Sequence, residues 1–389
     1  MAIIKRGLKI LYFTGFVLAM SKAFPGYIQS TFLQGFVDVK WVGLFFIGSA
    51  VFSLLAINFF PILIKKFTNY RLSLIVLSLN IISILLLITV HSPYLVFLFF
   101  IIAGVCTKLL WINMDVFVER LTDNKTTGRT RTTYFTFINL GWVASPLIVG
   151  YLVGDENYRF IYLLSAFFMM SVLAVFVMRK DRLAEHIQYN HHHTLITLKH
   201  IAKNIGLRGI FIIAFLLELF FAMAVIYIPI YLHQNLSFSW LTIGGIFTFM
   251  LLPFVIFQIP AGVLADKYAS EKKIFALGFL IISASCALFF FIESSSPVVW
   301  ALLLFLSRCG ASLIQAMRES YFFKIVDVQD IDYINFFRNL SPLGYLVGSG
   351  LSVLILQFLP IQYLFLGLSI ILLSGLYFAW RLPTIKSKS

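Results

Sequence analysis

The chain has 389 residues, of which 60% are hydrophobic and only 12% charged, and its mean hydropathy is +0.95. Soluble domains are about 45–50% apolar and about 25% charged, so this composition excludes a water-soluble fold. The formal net charge of +14 suits a nucleic-acid binder, but the basic residues lie between apolar runs and form no continuous basic face, which excludes that partner.

The apolar runs are about 20 residues long and lack period-2 alternation, which selects membrane-spanning helices over barrel strands. Twelve segments are predicted, each uncertain by a few residues. In chain order they cover about 8–30, 42–64, 72–90, 94–119, 132–153 and 159–178, then 209–232, 239–265, 274–292, 298–320, 335–358 and 361–381. The start, Lys5, Arg6 and Lys9 before an apolar run, has the form of a signal peptide, but Lys22 beside the cleavage-like position and the helix count favour a first span. The fold class expected is an all-α membrane protein with twelve transmembrane helices in two pseudo-symmetric six-helix halves. The halves are 1–178 and 208–389, the second ending in a short cytoplasmic tail. Between them, 179–207 is a cytoplasmic linker in which Leu195, Leu198, Ile201 and Ile205 space an amphipathic helix. His191, His192 and His193 cannot face one way on a helix and read as a solvated loop.

Basic residues alternate between the connections. One side carries runs such as Lys65, Lys66, Arg71 and Lys267, Lys272, Lys273; the other carries only Lys40 and Arg159. The positive-inside rule then puts both termini in the cytoplasm of a multi-pass plasma-membrane protein. The two halves also repeat: Phe137, Asn139, Leu140 and Gly150 recur as Phe337, Asn339, Leu340 and Gly350. Parallel repeats with a site at their interface are one design of transporter.

Cys106, Cys286 and Cys309 lie within predicted segments and form neither a disulfide framework nor a metal motif. The sequence carries no phosphate-binding loop, cofactor motif or cluster of catalytic carboxylates and histidines, so no cofactor and no enzyme activity are expected.

After segment 8 the chain reads Gly262-Val-Leu-Ala-Asp266-Lys267-Tyr-Ala-Ser-Glu-Lys272-Lys273. This is similar to the loop motif of the major facilitator superfamily, G-x-L-A-D-[RK]-x-G-x-[RK]-[RK], with Ala269 in place of the second glycine. In the first-half copy Lys65 stands where the aspartate belongs. Segment 5 carries Gly141-Trp-Val-Ala-Ser145-Pro146-Leu-Ile-Val-Gly150. It resembles an antiporter motif of that superfamily, and the preferred alternative is a small-residue packing seam with a proline bend. The resemblance implies a secondary active transporter that works as a monomer by alternating access. It makes Gly262, Asp266 and Lys267 a cytoplasmic latch, and has segments 1, 4, 7 and 10 line the central cavity.

An ionisable residue at the bilayer centre costs about 2.5–3.5 kcal/mol on insertion scales, so each is a candidate. They fall on those same four segments: Lys22; Lys108 and Asp115; Glu218; and Arg308. Lys108, Asp115 and Glu119 share one helix face, and Arg308, Gln315 and Glu319 repeat the spacing two hundred residues on. Lys22, Lys108, Arg308 and Gln315 are the substrate-binding candidates, their cations suited to an anionic group. Glu218 and Asp115 are the proton-coupling candidates, since desolvation and nearby cations move a carboxyl group in opposite directions. Structural pairs are the alternative: Glu218 with Lys22 or Arg308, and Asp115 with Lys108. Glu119 and Glu319, with Arg318 and Arg338, sit near the cytoplasmic surface as gate residues. Asn113, Trp111 and Tyr227 read as packing or interhelical hydrogen-bond residues. The expected partners are a small-molecule substrate, protons and the lipid bilayer. The alternatives are an efflux antiporter for amphiphilic compounds and a non-transporting membrane receptor.

Overall fold

The computed structural model describes residues 2–120, 127–153, 157–180, 194–257, 260, 271–326 and 331–383. Its helices are α1 (Ala2–Gly26), α2 (Gln29–Gln34), α3 (Val39–Thr89), α4 (Pro93–Arg120), α5 (Thr127–Val153), α6 (Tyr158–Met178), α7 (Thr194–Lys203) and α8 (Ile205–Ile230). They continue as α9 (Trp240–Leu251), α10 (Pro253–Ile256), α11 (Glu271–Phe291), α12 (Pro297–Ile325), α13 (Ile331–Arg338), α14 (Leu340–Leu356) and α15 (Gln362–Arg381). Eleven stretches within these are long and apolar enough to cross a membrane. Many large apolar side chains stay exposed, among them Phe59, Ile62, Phe167, Leu280 and Ile370, as a lipid-facing surface requires. The protein is therefore an all-α, multi-pass membrane protein.

The eighth segment departs from expectation. Instead of one helix over 239–265, α9 and α10 are separated at Leu252, where Pro253 removes a backbone donor. The shorter apolar helix Trp240–Ile256 falls below spanning length among the described residues. Segments 2 and 3 also differ. They run as one helix, α3, interrupted at Thr68, whose φ of 64° is left-handed. Segment 11 divides into α13 and α14 around Asn339. The amphipathic linker helix forms as α7; Gly262, Asp266, Lys267 and the histidines 191–193 lie outside the described residues.

Polar side chains fix the ends and the packing. Asp38 caps α3 by accepting from the Lys40 amide, Asn157 caps α6 through the Phe160 amide, and Asn204 caps α8 through the Leu207 amide. Asn113 donates to the Asn69 carbonyl and to Ser73 Oγ, and Asn80 to the Ala103 carbonyl, pinning α4 to α3. Asn113 is thus an interhelical hydrogen-bond residue.

The contacts group the chain into two units, 1–189 with 232–248, and 190–231 with 249–389. In the first, α1 packs on α4, α5 and α6, and α3 on α4 and α6. In the second, α8 packs on α12, α14 and α15, and α11 on α12 and α15. The neighbour relations are the same in both. The segment-5 motif works as a seam in the first unit: a Cβ on Gly150 collides with the Trp240 carbonyl, and Gly150 lies against the Cα of Gly244.

Candidate functional site

In the second unit, α8 packs Glu218 against α14. It can do so because α14 presents Gly344 there: a Cβ at that position would stand 2.7 Å from the Glu218 carbonyl carbon. The Glu218 carboxylate accepts from Arg318 Nη1 of α12 at 2.7 Å, and both side chains are largely buried. This is neither of the cations expected from the sequence. Arg318 lies ten residues further along the helix that carries Arg308, on a surface assigned to the gate.

Arg318 has a second side to it. Its Nε is buried without a hydrogen-bond partner among the described residues, and the Glu319 carboxylate lies 3.7 Å away, just beyond hydrogen-bond distance. Glu319 is held by both terminal nitrogens of Arg338 on α13, at 3.1 and 3.4 Å, the fork geometry that suits a carboxylate. Alternating charges thus run from α8 through α12 to α13. The ladder is backed by rings: Arg318 lies over Phe337, which stacks on Phe322 at 4.1 Å. Nearby in the fold, Lys324 at the end of α12 reaches the buried Glu271 at 2.8 Å. Glu271 sits in the first turn of α11, where the helix dipole also favours a carboxylate.

Arg308 is 2% exposed. Its guanidinium lies 4.7 Å from the Phe220 ring centre and 5.9 Å from that of Phe221, both on α8. Such cation–π stacking covers the flat faces of the guanidinium. Gln315, one turn before Glu319, is half-buried and has no hydrogen-bond partner among the described residues.

In the first unit, Lys22 of α1 is half-buried and close enough to Lys108 of α4 for the two ammonium groups to repel. Lys22 makes no hydrogen bond or ion pair among the described residues. Asp115, two turns along α4 from Lys108, lies within range for its charge to act on the buried Tyr134 of α5. The side chain of Glu119 lies outside the described residues. The structure therefore gathers Glu218, Glu319, Arg318 and Arg338 into one cluster, and Lys22, Lys108 and Asp115 onto neighbouring helices of the other unit.

Among the described residues no group of histidine, cysteine, aspartate and glutamate has the arrangement of a metal site. Two connections escaped the sequence reading. One is the Glu271–Lys324 pair, since Glu271 read as part of a surface loop. The other is a reciprocal amide pair, Gln34 Nε2 to Gln234 Oε1 at 3.0 Å and Gln234 Nε2 to Gln34 Oε1 at 2.6 Å. Its two residues stand at the two-hundred-residue offset already visible in the repeat.

No curated protein matches the chain. The family model described as Major Facilitator Superfamily matches residues 11–317 and 210–389, which between them cover most of the sequence. That family is one of transporters and not of enzymes. With its apolar helices, buried charges and this match, the chain belongs to the major facilitator superfamily.

Proposed function

We propose that the protein is a proton-coupled secondary transporter with twelve transmembrane helices in two six-helix halves, 1–178 and 208–389, joined by the linker 179–207. On this reading the halves alternate access to a midplane cavity lined by α1, α4, α8 and α12, both termini lie in the cytoplasm, and the monomer is the working unit. The observation that carries proton coupling is the geometry at Arg318: bonded to Glu218 at 2.7 Å on one side, with its Nε facing Glu319 at 3.7 Å on the other. A proton on Glu218 removes the charge that holds Arg318. The guanidinium then moves toward Glu319, and α8 and α12 lose their tie. Loss of the proton restores it. Asp115, beside Tyr134, is the corresponding carboxyl group of the first half.

The substrate is a small anion. Lys22 and Lys108 stand on the neighbouring helices α1 and α4, and their cations suit a carboxylate or phosphate. Gln315 supplies an amide and Arg308 a guanidinium. The latch is assigned to Gly262, Asp266 and Lys267, with Glu119 and Glu319 at the gate. The test is uptake of candidate anions into proteoliposomes under an imposed proton gradient. Glu218→Gln should abolish gradient-driven accumulation and retain exchange of substrate across the bilayer. Accumulation undiminished in Glu218→Gln would remove that carboxyl group from the coupling.

A further inference from the structure

We infer that the first unit carries a second binding site, for an organic carboxylate with a flat apolar body, in a cavity formed by the chain between α1 and α3, the start of α6 and the turn after α8. The cavity is about 680 Å³, and Thr31, Phe36, Asn157, Arg159, His233 and Gln234 are among its lining residues. That volume lies within the range of pockets that hold small organic ligands. Its segments all belong to the connections that are poor in basic residues, so the site is separate from the cation cluster proposed above.

Each chemical element of such a ligand has a counterpart. Arg159 is the anchor. Its Nη2 lies 3.2 Å from His91 Nε2, which positions the guanidinium at the rim and leaves further N–H groups for an oxyanion. The flat body has a wall of rings in mutual contact: Phe36 with Phe32 at 5.3 Å, Phe32 with Tyr158 at 6.4 Å, Tyr158 with Trp240 at 5.8 Å, and Trp240 with His233 at 4.5 Å. The floor is amide. After the reciprocal bonds, Gln34 and Gln234 each keep one N–H and one lone pair for a ligand. The Asn157 carbonyl oxygen is spent on its helix cap, which leaves its NH₂.

Two independent features mark the cavity as built. The hydroxyl of Thr31, a lining residue only 7% exposed, has no hydrogen-bond partner among the described residues; buried hydroxyls seldom go unpaired in finished cores. The backbone that supplies His233 and Gln234 is also irregular. Residues Tyr231–Asn235 form a π-helical turn, and Ser237 has a φ of 56°. Both features are costly for ordinary residues and concentrate at functional sites. The strained turn directs His233 Nδ1 to the Phe238 carbonyl at 3.0 Å, which puts the proton on Nδ1.

The test uses the purified full-length protein and three probes: benzoate, benzyl alcohol and inorganic phosphate. Benzoate should raise the melting temperature saturably, and phosphate and benzyl alcohol should do so less. Arg159→Gln should weaken benzoate binding by about tenfold or more, as expected for a lost charge-assisted hydrogen bond, and should leave the unliganded melting temperature unchanged, because the guanidinium is exposed. Gln34→Glu, which sets a carboxylate beside the site, should weaken it as well. Lys22→Ala should leave benzoate binding intact. The proposal is overturned if benzoate gives no shift, if benzyl alcohol or phosphate matches it, or if Arg159→Gln binds benzoate like the wild type. Loss of benzoate binding in Lys22→Ala alone would also overturn it, by moving the ligand to the cation cluster without touching the transport reading.

Discussion

The two units arrange their charges differently. In the second, Glu218, Arg318, Glu319 and Arg338 answer one another in sequence across α8, α12 and α13. In the first, Lys22 stands beside a like charge, with no acceptor among the described residues. A charge removed from water is tolerated when a partner of opposite sign accompanies it. The Glu218–Arg318 and Glu319–Arg338 pairs meet that condition. Lys22 and Lys108 instead bring two like charges together on neighbouring helices. The lesson is that a polar residue within a span is best judged by whether the protein itself supplies its counter-charge.

The comparison can be broken most forcefully at Arg318. Arg318→Ala leaves Glu218 buried and uncompensated, and breaking such a pair costs about 3–5 kcal/mol. Thermal unfolding in detergent should show this as the largest drop among these variants. Stability equal to wild type would mean that the ladder carries no structural load. Lys22→Ala sharpens the other side. It should leave unfolding unchanged or improved, and reduce affinity for a transported anion by about 1.5–3 kcal/mol, as for a lost hydrogen bond to a charged group. Equilibrium binding of radiolabelled substrate checks it, and an unaffected Kd would break the comparison.

Gly344→Ala probes how the ladder is held. The added methyl meets the Glu218 backbone, and overpacking of this kind costs about 1–3 kcal/mol. The same variant should lower proton-driven uptake, because Glu218 moves with its backbone. The smallest effect is expected of Gln34→Leu, which removes hydrogen bonds at an exposed site for about 0.5–1.5 kcal/mol. Unfolding curves should separate it clearly from Arg318→Ala.

Most of the fold was legible in the sequence, because crossing a bilayer demands a local property, a sufficiently long apolar run. That is why α1, α4, α6, α8, α11, α12 and α15 lie where hydropathy puts them. The break at Pro253 was also written in the chain, yet an unbroken apolar run hid it. The site was legible only as a set of residues. That Glu218, Glu319, Lys22 and Lys108 are unusual follows from charge in an apolar run. That Glu218 chooses Arg318 does not, because the two lie a hundred residues apart and only the packing of α8 on α12 brings them together. Arg159 was visible as one of two basic residues on its side, but His91, His233 and the aromatic wall around it come from separate stretches of chain that no spacing connects.

The amide pair has a consequence of its own. A carboxamide is its own complement, giving and taking through one group, so Gln34 and Gln234 can face each other as equals. Lysine facing lysine or glutamate facing glutamate cannot. Identical residues at the two-hundred-residue offset can therefore meet here without either side needing a complementary charge.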